Sequence, residues 1–122
     1  MEQQARRLSA IIVEDDEAVR RSLQLLLHWR GYDVRAFGSA APIVDVSGSP
    51  GTADLLVADY RLPDGDGIGV LRALRRRGWA GKAVLVTGHP SDGLKDAALA
   101  SGFDAVIEKP IRQHELIGAI SR

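Results

Sequence analysis

The chain has 122 residues, 45% of them hydrophobic and 26% charged, with sixteen basic side chains balanced by sixteen acidic ones and no cysteine. The balance removes any overall field favouring nucleic acid or an anionic membrane, so direct nucleic-acid binding is not expected. The absence of cysteine excludes disulfides, thiolate metal sites and a thiol nucleophile. Length suits one compact domain, expected to be residues 1–122 with an ordered core from about residue 8 to 120. Apolar runs such as Leu55 to Ala58 are far shorter than a membrane span, and the polar stretch Met1 to Arg7 lacks the pattern of a secretory signal. The expected location is cytoplasmic.

In chain order, Ala10 to Val13 reads as a first buried strand, followed by an amphipathic helix from Glu17 to Arg30. Val19, Leu23, Leu26 and Leu27 recur there at helical spacing, and Gly31 is the stop. Val34 to Phe37 is the second strand, Ala40 to Val46 a short helix with Pro42 near its start, and Ser47 to Gly51 a loop. Leu55 to Ala58 is the third strand; Ile68 to Arg77 is a helix whose arginines, Arg75 to Arg77, fall where cations suit the helix dipole. Ala83 to Val86, a helix from Asp92 to Ala100, Ala105 to Ile107 and a helix from Arg112 to Ile120 complete the set. Strands alternating with helices imply a doubly wound α/β fold, a five-stranded parallel sheet of order 2-1-3-4-5 with five helices. In such sheets ligands bind at the carboxyl ends of the strands, where the order reverses.

Those strand ends carry polar chemistry. Glu14-Asp15-Asp16-Glu17 follows the first strand and Asp59 the third, which the expected order makes neighbours. Taken alone, the acidic run reads equally as a solvated turn with helix-capping acids, and Asp59 as a turn former. Taken together, the carboxylates repel unless a hard cation joins them, and a sparse cluster suits magnesium better than calcium. A calcium loop through Asp64-Gly65-Asp66-Gly67 fails, because Arg75 stands where its last glutamate belongs. The fourth strand ends at Thr87-Gly88 and the fifth at Glu108-Lys109-Pro110. Singly, Thr87 is a candidate helix cap and Lys109 a surface charge. Jointly with Asp59 they offer a carboxylate nucleophile, a hydroxyl donor and a cation, the parts of a phosphoryl-transfer site.

With the acidic pair, Asp59 followed by Leu62-Pro63-Asp64 and Gly67, Thr87-Gly88 and Lys109-Pro110 in order, the chain resembles the response-regulator receiver family from about Leu8 to Ile120. The resemblance implies a flavodoxin-like receiver fold and a two-component switch, better called a switch than an enzyme, that takes a phosphoryl group from a sensor histidine kinase or phosphotransfer protein. It implies Asp59 as phosphoacceptor and metal ligand, Asp15 as a direct ligand of Mg2+, Glu14 acting through water, and the backbone carbonyl of Arg61 as a further ligand. Asp16 then lies just outside, in a register supported by counting back from Arg20. Thr87 and Lys109 meet phosphoryl oxygens, a cis Lys109-Pro110 bond is expected, and the partner downstream is an output domain or protein.

Two positions depart from the family pattern. Glu14 replaces the commoner aspartate, and Val106 stands where the family usually has Tyr or Phe; Phe103 is expected to be a poor substitute, since an extended strand gives it the opposite parity. An FMN-binding reading fails on the acidic first loop, which repels a phosphate dianion. A haloacid-type phosphohydrolase wants a second acid where Arg61 stands. The remaining alternative is a receiver-like binding module that signals without phosphorylation.

Overall fold

The computed structural model describes residues 7–45 and 51–121. Five strands form one parallel sheet: β1 (Leu8–Val13), β2 (Tyr32–Phe37), β3 (Leu55–Asp59), β4 (Lys82–Thr87) and β5 (Ala105–Glu108). Their spatial order is β2-β1-β3-β4-β5, as expected from the alternation of strands and helices. The helices are α1 (Glu17–Trp29), α2 (Ala41–Val44), α3 (Gly67–Arg76), α4 (Asp92–Ala100) and α5 (Gln113–Ser121).

Period-two alternation in the central strands builds two cores. Ile11, Val13, Leu56, Ala58, Ala83 and Leu85 face one cluster, which Ile68, Leu71 and Leu74 of α3 and Ala98 of α4 complete. Ala10, Ile12, Leu55, Val57, Val84 and Val86 face the other, covered by Leu23 and Leu27 of α1 and Leu116 and Ala119 of α5. Both faces of the sheet are therefore buried, which is why β3 reads as an unbroken apolar run ending in an acid.

Helix starts are set by short polar side chains. Asp16 accepts from the Val19 amide at 3.0 Å, Asp66 from Gly69 at 2.8 Å and Ser91 from Leu94 at 3.1 Å, each satisfying an otherwise orphaned first-turn donor. Strand β2 begins two residues before the predicted Val34, because Tyr32 is itself buried and pairs with Leu8 of the neighbouring strand. Helix α2 is shorter than Ala40 to Val46 suggests, closing at Asp45, whose amide bonds to Ala41. Val46 and residues 47–50 of the predicted loop lie outside the described residues.

Two features escape periodicity altogether. A two-stranded antiparallel ribbon, Arg61–Leu62 against Gly65–Asp66, follows β3. The parity argument for Phe103 also fails: β5 starts only at Ala105, and the preceding turn has Gly102 at φ +111° with the Phe103 amide bonded to Ala98 O. Without extended backbone there, Phe103 turns into the same cluster against which Val106 packs, and is 3% exposed.

Candidate functional site

Backbone bonds tie the carboxyl ends of neighbouring strands, β1 to β2, β3 to β4 and β5 to β4. Glu14 N–H donates to Phe37 O at 2.9 Å, Tyr60 N–H to Val86 O at 2.9 Å, and Lys109 N–H to Thr87 O at 2.8 Å. Asp59 is in register with Val86, so Thr87 stands one residue beyond it on the adjacent strand. This parallel register is what brings side chains from positions 14, 59, 87 and 109 to one edge.

There the carboxylates of Glu14, Asp15 and Asp59 converge, with oxygens within 4.8 Å of one another. Glu14 is fully buried and Asp59 nearly so, while Asp15 is exposed. The Lys109 ammonium lies between two of them, 2.8 Å from Glu14 Oε1 and 3.1 Å from Asp59 Oδ2. Burial pushes the Glu14 carboxyl up to about 7 even though Lys109 and the Asp16 amide pull it down; the Asp59 charge adds to the rise. Burial opposes the Lys109 charge, but hydrogen bonds to Glu14 and Asp59 outweigh it and hold the ammonium pKa above the ordinary lysine value. One ammonium thus faces three carboxylates, and the site retains an unmatched attraction for a hard cation.

Asp16 is not part of this convergence. Its carboxylate caps α1 through the Val19 amide, while its own amide donates to Glu14 Oε2 at 3.0 Å. Thr87 is 2% exposed, and its Oγ1 accepts from His89 N–H at 3.1 Å, which leaves the hydroxyl hydrogen for another acceptor. The helix cap suggested for Thr87 is instead Ser91, four residues on. Arg61 opens the ribbon two residues after Asp59 and is exposed. The Lys109-Pro110 peptide bond is cis, as the family resemblance implies.

Three contacts of the site were not anticipated from sequence. Glu14 pairs directly with Lys109, a reach that its extra methylene over aspartate favours. Gly67 lies against the phosphoacceptor candidate: a Cβ on it would fall 2.5 Å from Asp59 O and 2.7 Å from Leu85 Cδ1, so no larger residue fits without moving Asp59. Arg20 reaches back from α1 to the carbonyls of Glu14 and Asp15, at 2.8 and 3.5 Å. A glycine directly before a predicted helical stripe was the one legible hint of the second. The third was legible only as a landmark for numbering the acids.

Comparison with known proteins agrees with this arrangement. The family model described as response regulator receiver domain matches residues 10–121. The chain is 34% identical over 109 residues to the transcriptional regulatory protein FixJ of Azorhizobium caulinodans, covering 89% of this chain and 51% of that protein. It is 35% identical over 109 residues to nodulation protein W of Bradyrhizobium diazoefficiens, covering 89% and 48%. The chain therefore spans about half the length of these curated relatives. Among solved structures, a CheY-like response regulator receiver domain protein from Methanospirillum hungatei JF-1 matches with a TM-score of 0.82 and 28% identity, covering 95% of this chain and 92% of that one.

Proposed function

The chain belongs to the response regulator receiver domain family, and on that premise we propose that it accepts a phosphoryl group on Asp59 and switches conformation in consequence. The observation that carries this reading is the convergence of the Glu14, Asp15 and Asp59 carboxylates around one Lys109 ammonium that bonds two of them. Residues 1–122 act as a single receiver domain in this reading, a switch rather than a turnover enzyme.

A carboxylate oxygen of Asp59 forms a bond to phosphorus as the phosphorus–nitrogen bond to a donor phosphohistidine breaks. The departing imidazole keeps that electron pair. The donor is a sensor histidine kinase or a phosphotransfer protein, and the cytoplasm is where such a donor would be met. Lys109, already 3.1 Å from Asp59 Oδ2, meets a phosphoryl oxygen, and Thr87 donates its remaining hydroxyl hydrogen to another. Glu14, Asp15, Asp59 and the backbone carbonyl of Arg61 are the oxygen donors that fit Mg2+. Bound there, the ion offsets charge on the phosphoryl oxygens. Later attack by water on phosphorus releases inorganic phosphate and restores the carboxylate.

The new anion changes what Thr87 and Lys109 contact, and these two residues share the Lys109 N–H to Thr87 O bond that joins β4 to the loop after β5. A ligand shifts a two-state equilibrium only through such differential contacts. An output domain or protein then reads the altered surface.

Labelling with acetyl phosphate and magnesium chloride tests the proposal. Wild type is expected to acquire one acid-stable, base-labile acyl phosphate, and Asp59→Asn none. Equal labelling of Asp59→Asn would overturn the assignment of the acceptor. A folded wild type that takes no label would instead favour a receiver-like binding module working without phosphorylation.

A further inference from the structure

We propose that Arg20 is a positioning residue for the acidic site, its guanidinium clamping the Glu14–Asp15 backbone so that both carboxylates stay aimed at one cation. The inference rests on the phosphoacceptor reading and extends it to a side chain outside the reacting group. Four acids in succession, Glu14 to Glu17, repel one another and would favour a splayed loop. Two restraints oppose that. On one side Glu14 N–H is tied to Phe37 O at 2.9 Å; on the other, Arg20 Nη1 donates to Glu14 O at 2.8 Å and makes a longer contact of 3.5 Å to Asp15 O. Glu14 is thereby gripped at its amide and at its carbonyl.

Arg20 can do this because the first turn of α1 is itself anchored. Arg20 N–H bonds to Asp16 O at 2.9 Å, so the side chain departs from a fixed backbone one turn beyond the acids and folds back over them. Gly38, just past β2, leaves the room: a Cβ there would lie 3.2 Å from Arg20 Nη1. The guanidinium addresses carbonyl oxygens rather than carboxylates. Its charge therefore eases repulsion within the acidic run while the carboxylate oxygens stay available to a metal ion. Both contacts come from Nη1, so a lysine supplies the charge and a donor but not the rigid guanidinium plane that fixes that nitrogen over the two carbonyls.

Magnesium chloride titration followed by amide NMR, run beside acetyl phosphate labelling across magnesium concentrations, separates this role from a merely structural one. Arg20→Met is expected to weaken Mg2+ binding by about tenfold. Its labelling rate at saturating Mg2+ should stay within about twofold of wild type, because the reacting groups are untouched. Arg20→Lys should recover part of the affinity. Gly38→Ala, which crowds the guanidinium, should weaken binding in the wild-type background and add nothing in the Arg20→Met background, since both changes act through one contact. An unchanged Mg2+ affinity in folded Arg20→Met overturns the proposal, as does a loss of saturated rate equal to the loss of affinity. Should Arg20→Met not fold, Gly38→Ala against wild type decides alone: weaker binding supports the clamp and unchanged binding sinks it. Failure of wild type itself to bind Mg2+ or take label would refute the phosphoacceptor reading, a result distinct from any ratio between variant and wild type.

Discussion

The two ends of the sheet use the same residue types in opposite ways. At the amino end, Asp54 accepts from Ser9 N–H at 2.8 Å and Asp104 from Ala83 N–H at 2.9 Å. Arg75 there donates to the carbonyls of Trp79, Gly81 and Gly102 and lies 4.9 Å over the Trp79 ring. Each of these three side chains serves the backbone. At the carboxyl end, Glu14, Asp15 and Asp59 are turned toward one another, and a single ammonium is shared between two of them. Charges at one end complete the fold; charges at the other are gathered against their own repulsion. Buried like charges held in one place cost stability, and such concentration is what a phosphoryl and cation site requires.

The largest effect expected from that contrast is at Lys109. Replacing it with Met leaves a fully buried Glu14 and a nearly buried Asp59 without their shared cation, a loss of about 3 kcal/mol in metal-free buffer at neutral pH. Magnesium should restore much of that stability by facing the same carboxylates. Urea unfolding of wild type and Lys109→Met with and without magnesium chloride measures both terms. A deficit that ignores the ion would mean that the carboxyl end is stabilised like the amino end, and the contrast would fail.

Arg75→Met probes the other end and should cost about 2 kcal/mol, from three carbonyl hydrogen bonds and a cation–π contact. Here magnesium is expected to leave the deficit unchanged, because no acid of the convergent site touches Arg75. The same unfolding series reads it. Rescue of Arg75→Met by magnesium would couple the two ends and break the division between them.

The sequence was informative where one kind of side chain does one job. Short continuous apolar runs located all five strands, and the stops at Gly31 and Gly78 put the ends of α1 and α3 within one residue of where they fall. The acids at 14, 15 and 59 were legible because parallel order forces the ends of β1 and β3 together. What stayed hidden depends on partners distant in sequence or on backbone turns. The reading of Arg75 to Arg77 as dipole-facing cations missed that Arg75 bridges three carbonyls and Arg77 donates to Ile43 O at 2.9 Å. Phe103 was assigned to the wrong face because parity holds only within extended chain, and β5 begins two residues later. The Glu14 to Lys109 contact depends on side-chain reach across three strands, which spacing does not encode.

Asp64 supplies the smallest effect and the sharpest test of the contrast, since it follows β3 at the carboxyl end yet behaves like the acids at the other. Its Oδ1 accepts from Ala40 N–H at 2.8 Å and its Oδ2 from Ala41 N–H at 2.9 Å, tying the ribbon to the start of α2. The Ala40 amide, more than any other group, holds the Asp64 carboxyl below its ordinary value of 3.8; desolvation opposes it, and the Ala41 amide adds to the lowering. An acid with a depressed folded-state pKa contributes stability above its unfolded value and loses it as pH falls through the folded one. Glu14 has the opposite sign: raised from 4.5 to about 7, it makes the metal-free fold less stable as pH climbs through that interval. Below 4.5 Glu14 is protonated in both states and contributes no slope, so the two acids titrate in separate windows. Asn at position 64 keeps one acceptor oxygen and places an amide nitrogen against a backbone donor. Asp64→Asn should therefore be slightly less stable than wild type at neutral pH, with a gap that closes as pH drops below 3.8. Thermal unfolding of the pair across that range reads the gap directly. A gap that instead widens toward acid would mean that Asp64 is held as a strained charge, like Glu14, and not spent on the backbone.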